Sequence, residues 1–145
     1  MAGYDSNQIN NYKKAQIETA SPDLLILMLF DGALKFLKRA RSGFENMDFE
    51  LINNGLIKTQ AIISELMTSL DMEKGGEVAK NLLSLYIFVN KNLSQANVEK
   101  DAKYLDVCEE ITGGLREAWD EMMKKNATKG EDRGKTQGSN INFAV

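Results

Sequence analysis

The chain has no histidine, one cysteine and one proline. Without histidine it cannot build a Ser-His-Asp triad, a His-ligated zinc site or the Glu-x-x-His pairs of di-iron bundles. A lone cysteine, Cys108, rules out an internal disulfide, a four-cysteine zinc site and ordinary iron–sulfur ligation. No phosphate-cradling G-x-x-x-x-G-K-[ST] or G-x-G-x-x-G pattern occurs. Neither a metal nor a cofactor is therefore expected. The longest apolar run is the seven residues Leu24 to Phe30. A bilayer span needs roughly 20, so no membrane insertion is expected. The opening MAGYDSNQINNYKKAQ lacks the apolar core of a secretory signal, and a cytoplasmic location is the default expectation. Basic residues number 18 and acidic residues 21, for a net charge of -3. That balance is unlike a nucleic-acid binder.

Acidic pairs are present at Glu109–Glu110 and, one helical turn apart, at Glu117 and Glu121. A paired general acid and base can share such a face. On an outer helix face, however, these read as solvated charges, and the chain is not expected to be an enzyme.

What remains is long amphipathic helix. The 145 residues, 43% of them apolar, suit one domain with one core. A first helix is expected over about 22–42, with Ser21 as its cap, Pro22 at the first position and Asp23 at the positive end of the dipole. Ile26, Leu29, Phe30, Ala33, Phe36, Leu37 and Ala40 share one face by 3.6 spacing. A second helix is expected over about 48–70, with Asp48 as its cap and Thr59 filling one slot of a Phe49–Ile52–Leu56–Ile63–Leu66–Leu70 seam. Gly75 and Gly76 then punctuate the chain. A third helix follows over about 77–95, with Leu82, Leu85, Tyr86, Val89 and Leu93 inward. The fourth spans about 101–125, with Tyr104, Leu105, Cys108, Ile111, Leu115, Ala118, Trp119 and Met122 inward. Cys108 reads as a buried thiol. Gly113 and Gly114 inside that helix suggest a kink or a close helix approach. Short polar links between four such segments give an all-α, antiparallel up-down four-helix bundle. The bundle domain is 1–125.

Two flanking segments differ from the body. Residues 1–20 are polar, punctuated by Tyr4, Ile9, Tyr12 and Ile17, and read as an N-terminal arm able to lie across the bundle. Residues 126–145 lack apolar periodicity and read as a flexible tail. Lys124, Lys125, Lys129, Arg133 and Lys135 against Glu131 and Asp132 leave this end at +3 and the remainder at -6. The tail closes in NINFAV, where Ile141, Phe143 and Val145 alternate. Such a patch could mediate self-association by docking on a neighbouring copy.

The apolar content exceeds what one seam per helix consumes. Leu24 and Met28 fall on the side of the first helix that ought to meet water, and Val78, Leu83, Ile87 and Phe88 spread apolar surface around the third. Either the arm or a loop covers these residues, or they form a binding surface. The two readings agree if the cover is displaceable. A shallow apolar groove on a helix bundle takes an amphipathic helix. Leu24, Met28, Leu83 and Ile87 are therefore the candidate partner-binding residues.

Residues 12–37, YKKAQIETASPDLLILMLFDGALKFL, resemble the signature of the flagellin-specific export chaperones of bacteria, the FliS family. The matching positions are Tyr12, Gln16, Thr19 to Pro22, Leu25, Ile26, Met28 to Ala33, Phe36 and Leu37. NLLSLYIFVNKNLSQAN (81–97) is similar to that family's third helix and GGLREAWDEM (113–122) to its last. The likeness covers roughly residues 4–123. Phe30 stands where the family usually has tyrosine, and the tail extends beyond the usual core. The resemblance implies an ATP-independent cytoplasmic chaperone that binds the disordered C-terminal region of flagellin. It would prevent premature polymerisation and aid delivery to the flagellar type III export apparatus. It also implies that the arm occupies part of the site until cargo displaces it, and it allows for an export-gate component as a second partner. The competing reading is a self-associating structural or adaptor protein with no flagellin cargo.

Overall fold

The computed structural model describes residues 20–133, together with positions 11 and 14. Four helices follow in chain order: α1 (Pro22–Glu45), α2 (Phe49–Thr68), α3 (Met72–Glu99) and α4 (Lys103–Arg133). Each start carries its own signal. Ser21 Oγ accepts from the Leu24 N–H, Asp48 from Leu51, Asp71 from Glu73 and Lys74, and Asp101 from Lys103. Such caps satisfy N–H groups that have no intrahelical partner.

The pairings run antiparallel around a square. From α1 to α2, Gly43 meets Ile52, Gly55 meets Phe36 and Ala40, and Gly32 meets Ile62. From α2 to α3, Asn97 Nδ2 donates to Asn53 Oδ1 (3.2 Å), Gln60 Nε2 to Ser94 Oγ (2.8 Å) and Asn90 Nδ2 to Ser64 Oγ (3.3 Å). The Cys108 thiol of α4 donates to the Val89 carbonyl of α3 at 3.6 Å. From α4 to α1, Arg41 pairs with Asp106 and Glu109, Arg116 pairs with Asp31 at 2.8 Å, and Trp119 Nε1 donates to the Asp23 carbonyl at 2.8 Å. In the α1/α2, α2/α3 and α4/α1 pairs one number rises as the other falls. α1 and α3 therefore lie on one diagonal, and α2 and α4 on the other. This is the antiparallel up-down four-helix bundle expected from the sequence.

The interior is apolar, with Phe30, Leu37, Leu56, Leu66, Tyr86 and Leu93 almost fully buried. Thr59 fills its slot at 0% exposure because its hydroxyl donates back to the Gly55 carbonyl at 2.7 Å. α1 and α2 approach most closely at Gly55, where a Cβ would stand 2.8 Å from the Ala40 nitrogen and 2.9 Å from the Phe36 oxygen.

Several boundaries and facings differ from the sequence reading. α3 begins at Met72 rather than near 77, because Asp71 caps a first turn. Gly76, at φ 51° and ψ -128°, then breaks the helix. α4 does not stop near 125 but continues to Arg133. Gly113 and Gly114 mark neither a kink nor a close approach. The helix passes both, and a Cβ at either would meet nothing within 4 Å. Phe36, Leu29, Leu115 and Met122, all read as inward, are only half-buried, and Ala118 and Phe49 are exposed. The arm residues Tyr4, Ile9, Tyr12 and Ile17 lie outside the described residues, as does NINFAV.

Candidate functional site

The starts of α1 and α3 and the ends of α2 and α4 meet at one end of the bundle. Leu24 to Phe30 is apolar on every side of α1. Burying Ile26 and Phe30 uses only one stripe of it. Leu25, Met28 and Leu29 are left on the outer wall, where they face the last turns of α2. They line a cavity of about 430 Å³ together with Pro22, Glu65 and Ser69. A volume of this size suits several apolar side chains of a ligand.

A second apolar cavity, about 160 Å³, opens at the same end between α3 and α4. Val78 and Leu82 form one side, Leu115, Ala118 and Met122 the other, and Phe30, Tyr86 and Trp119 the floor. The floor is held in place by two contacts. Trp119 is tied to the Asp23 carbonyl, and its ring packs against Phe30 at 6.5 Å between centroids with a 59° tilt. Val78 is 47% exposed and Phe88, further along α3, 46%. Ile111, Gly114 and Ala118 recur at helical spacing on α4, so the bare backbone at Gly114 lies in line with the cavity wall. At the opposite end of the bundle the surface concavity is polar, lined by Asp48, Glu50, Leu51 and Asn54.

The candidate residues from the sequence are dispersed. Met28 lines the α1/α2 cavity. Leu24 is half-buried and lines neither cavity. Leu83 is half-buried and Ile87 is 52% exposed, both on α3, diagonal to Met28. The structure thus does not gather the four into one groove, and none is sealed in the core. Leu25, Leu29, Val78, Leu115, Ala118 and Met122 line the cavities but were not singled out as candidates. Their signal was the same apolar excess, but 3.6 spacing assigned several of them to the interior.

The chemistry of reaction is sparse. Among the described residues no three of His, Cys, Asp and Glu cluster to hold a metal ion. No described helix is long and apolar enough to cross a membrane. Glu117 and Glu121 are both exposed, and Glu117 accepts from Arg116 at 3.2 Å. Burial pushes the Cys108 thiol up to about 12, with the neighbouring Glu109 charge adding to the effect. A thiol held neutral in this way is a poor nucleophile. What the site offers is shape and apolar area.

Residues 5–126 match the family described as "Flagellar protein FliS". The Flagellar secretion chaperone FliS of Salmonella typhimurium is 39% identical over 127 residues, covering 84% of this chain and 94% of its own. That of Campylobacter jejuni is 41% identical over 113 residues, 78% of this chain and 88% of its own. That of Bacillus subtilis is 34% identical over 118 residues, 81% and 87% respectively.

Proposed function

The chain belongs to the FliS family of flagellar secretion chaperones, and from that premise we propose that it holds the disordered C-terminal region of flagellin in the two apolar cavities at one end of its bundle. Held there, flagellin is kept from polymerising before export and is passed to the flagellar type III apparatus from the cytoplasm. The observation that carries this reading is the pair of unsealed apolar cavities, about 430 and 160 Å³, opening on opposite faces of the same end. One chain segment can reach both.

The physics is coupled folding and binding. A disordered segment loses conformational entropy when it orders on the bundle. Burial of apolar area offsets that loss, at about 25 cal/mol per Å² as an upper bound. No nucleotide is needed. Release requires only that the net affinity be modest.

The N-terminal arm supplies a way to keep it modest. Tyr4, Ile9, Tyr12 and Ile17 precede Pro22, which itself lines the larger cavity. The arm is therefore tethered at the cavity wall and competes with cargo at high effective concentration. Removing residues 1–16 and titrating the flagellin C-terminal region by calorimetry tests both parts. Tighter binding is expected. Absence of binding by the intact chain would refute the cargo, and an unchanged affinity after truncation would refute the displaceable arm.

A further inference from the structure

The seam between α1 and α2 continues past the larger cavity. Leaving Leu25, Met28 and Leu29, it passes Gly32, where Ile62 closes to 3.2 Å of a Cβ position, and reaches Phe36. This ring is half-buried, with cations standing over it. Lys58 Nζ and Arg39 Cζ lie 5.3 Å from its centroid, and Lys35 Nζ lies 5.9 Å away. Lys38 stands exposed one turn from Lys35.

Among the described residues, none of these four cations pairs with a carboxylate. Their helical neighbours explain why. Three and four positions from Lys58 stand Asn54, Gly55, Ala61 and Ile62. Around Arg39 stand Lys35, Phe36, Ser42 and Gly43. Asp31 is four residues before Lys35, but its carboxylate is taken by Arg116 at 2.8 Å. A chain of net charge -3 thus concentrates three uncompensated cations around one ring on this seam. An aromatic face stabilises a cation through its quadrupole, yet like charges a turn apart repel. The cluster is electrostatically incomplete without an anionic partner.

From this we infer that the α1/α2 seam is a two-part docking track for an acidic amphipathic peptide segment. Apolar side chains enter the cavity at Leu25, Met28 and Leu29. Asp or Glu side chains of the same segment, about 12 Å or two helical turns further along, meet Lys35, Arg39 and Lys58. The inference rests on the cargo reading and adds the chemistry that the cargo segment must carry. The chain's own outlying segments do not supply it. Residues 1–19 hold Asp5 and Glu18 against Lys13 and Lys14, and residues 134–145 hold Lys135 and no acidic side chain. The arm suits the apolar half of the track only, so acidic residues would give cargo an advantage over the arm.

The test compares the full chain with the triple variant Lys35→Gln/Arg39→Gln/Lys58→Gln. A control, Lys80→Gln/Lys91→Gln/Lys103→Gln, makes the same charge change on α3 and α4. Each is titrated with the flagellin C-terminal region at low and high salt. We expect the seam variant to bind about tenfold more weakly and to lose most of the salt dependence, with the control unchanged. Equal affinity and equal salt dependence for the seam variant would overturn the inference. If the unaltered chain binds no flagellin, the cargo reading fails, and two synthetic amphipathic helices decide the seam. One carries Glu on its flank and the other Gln. Preference for the Glu peptide by the unaltered chain but not by the seam variant supports an acidic-segment track, and no preference overturns it.

Discussion

Trp119 and Asp23 are 96 residues apart, and the indole N–H of one donates to the backbone carbonyl of the other at 2.8 Å. The bond ties the last helix to the first turn of the first helix. It also positions the aromatic floor of the smaller cavity, since the same indole packs on Phe30. One side chain therefore both closes the bundle and shapes the smaller cavity.

Replacing Trp119 with Phe should keep most of the packing and remove the bond. Stability should fall by about 1 kcal/mol, the typical net value of one hydrogen bond. Trp119→Ala should cost about 3–5 kcal/mol, because it also opens a cavity. Urea unfolding of both variants checks the ordering. Equal losses would mean that the packing Phe retains contributes little beside the bond.

The two faces of the bundle should differ in what they do for cargo. Met28→Asp puts a charge into the larger cavity, whereas Ile87→Asp puts one on an exposed position diagonal to it. The first should weaken binding of the flagellin C-terminal region by about 2 kcal/mol or more, the cost of burying an imperfectly paired polar group. The second should change it by less than about 0.5 kcal/mol. Calorimetric titration distinguishes them, and an equal loss at both positions would extend the site along α3 beyond Val78 and Leu82.

Two glycines predict opposite signs for the same substitution. At Gly55 a Cβ would press within 3 Å of α1 backbone atoms, so Gly55→Ala should destabilise by about 1–3 kcal/mol despite the better helix former. At Gly114 a Cβ meets nothing within 4 Å, so Gly114→Ala should stabilise by up to about 1 kcal/mol. Thermal melting reads both. If Gly114→Ala stabilises the free chain yet weakens cargo binding, the bare backbone is a contact surface.

The pH response should come from the alkaline side. The thiol of Cys108 is raised to about 12 in the fold by burial, from an ordinary value of 9.0. Its contribution is complete below pH 9, where the thiol is neutral in both states. It is lost as pH rises from 9 towards 12, because only the unfolded chain can then release the proton. The slope from this group approaches about 1.4 kcal/mol per pH unit in that window. Cys108→Ser should flatten part of the alkaline loss, as measured by urea midpoints between pH 8 and 11. The buried Tyr86 phenol, also raised by burial, adds to the loss.

Local signals made much of the bundle readable in advance. Ser21 and Asp48 cap the helices they precede because a short polar side chain satisfies free N–H groups wherever the chain begins to coil. The inward positions of Leu37, Leu56, Tyr86 and Leu105 followed from spacing alone. Phe36 and Leu115 were misjudged for one shared reason. Each lies at the edge of an apolar stripe, where burial depends on how closely the neighbouring helix approaches. The extension of α4 past 125 was missed because a helix continuing a long, well-packed one needs no apolar face of its own.

By itself the sequence determined four amphipathic helices, the caps of the first two, their order, and a surplus of apolar residues at the start of the first. These depend on neighbours within a turn or two, and caps and 3.6 spacing act at that range. Only the tertiary structure decided where the surplus lay. It paired α1 with α2 through Gly55 and α4 with α1 through Trp119, and so brought two apolar cavities to one end and set Lys58 over Phe36. Those juxtapositions depend on interaxial distance and rotation, which arise from packing across the whole bundle.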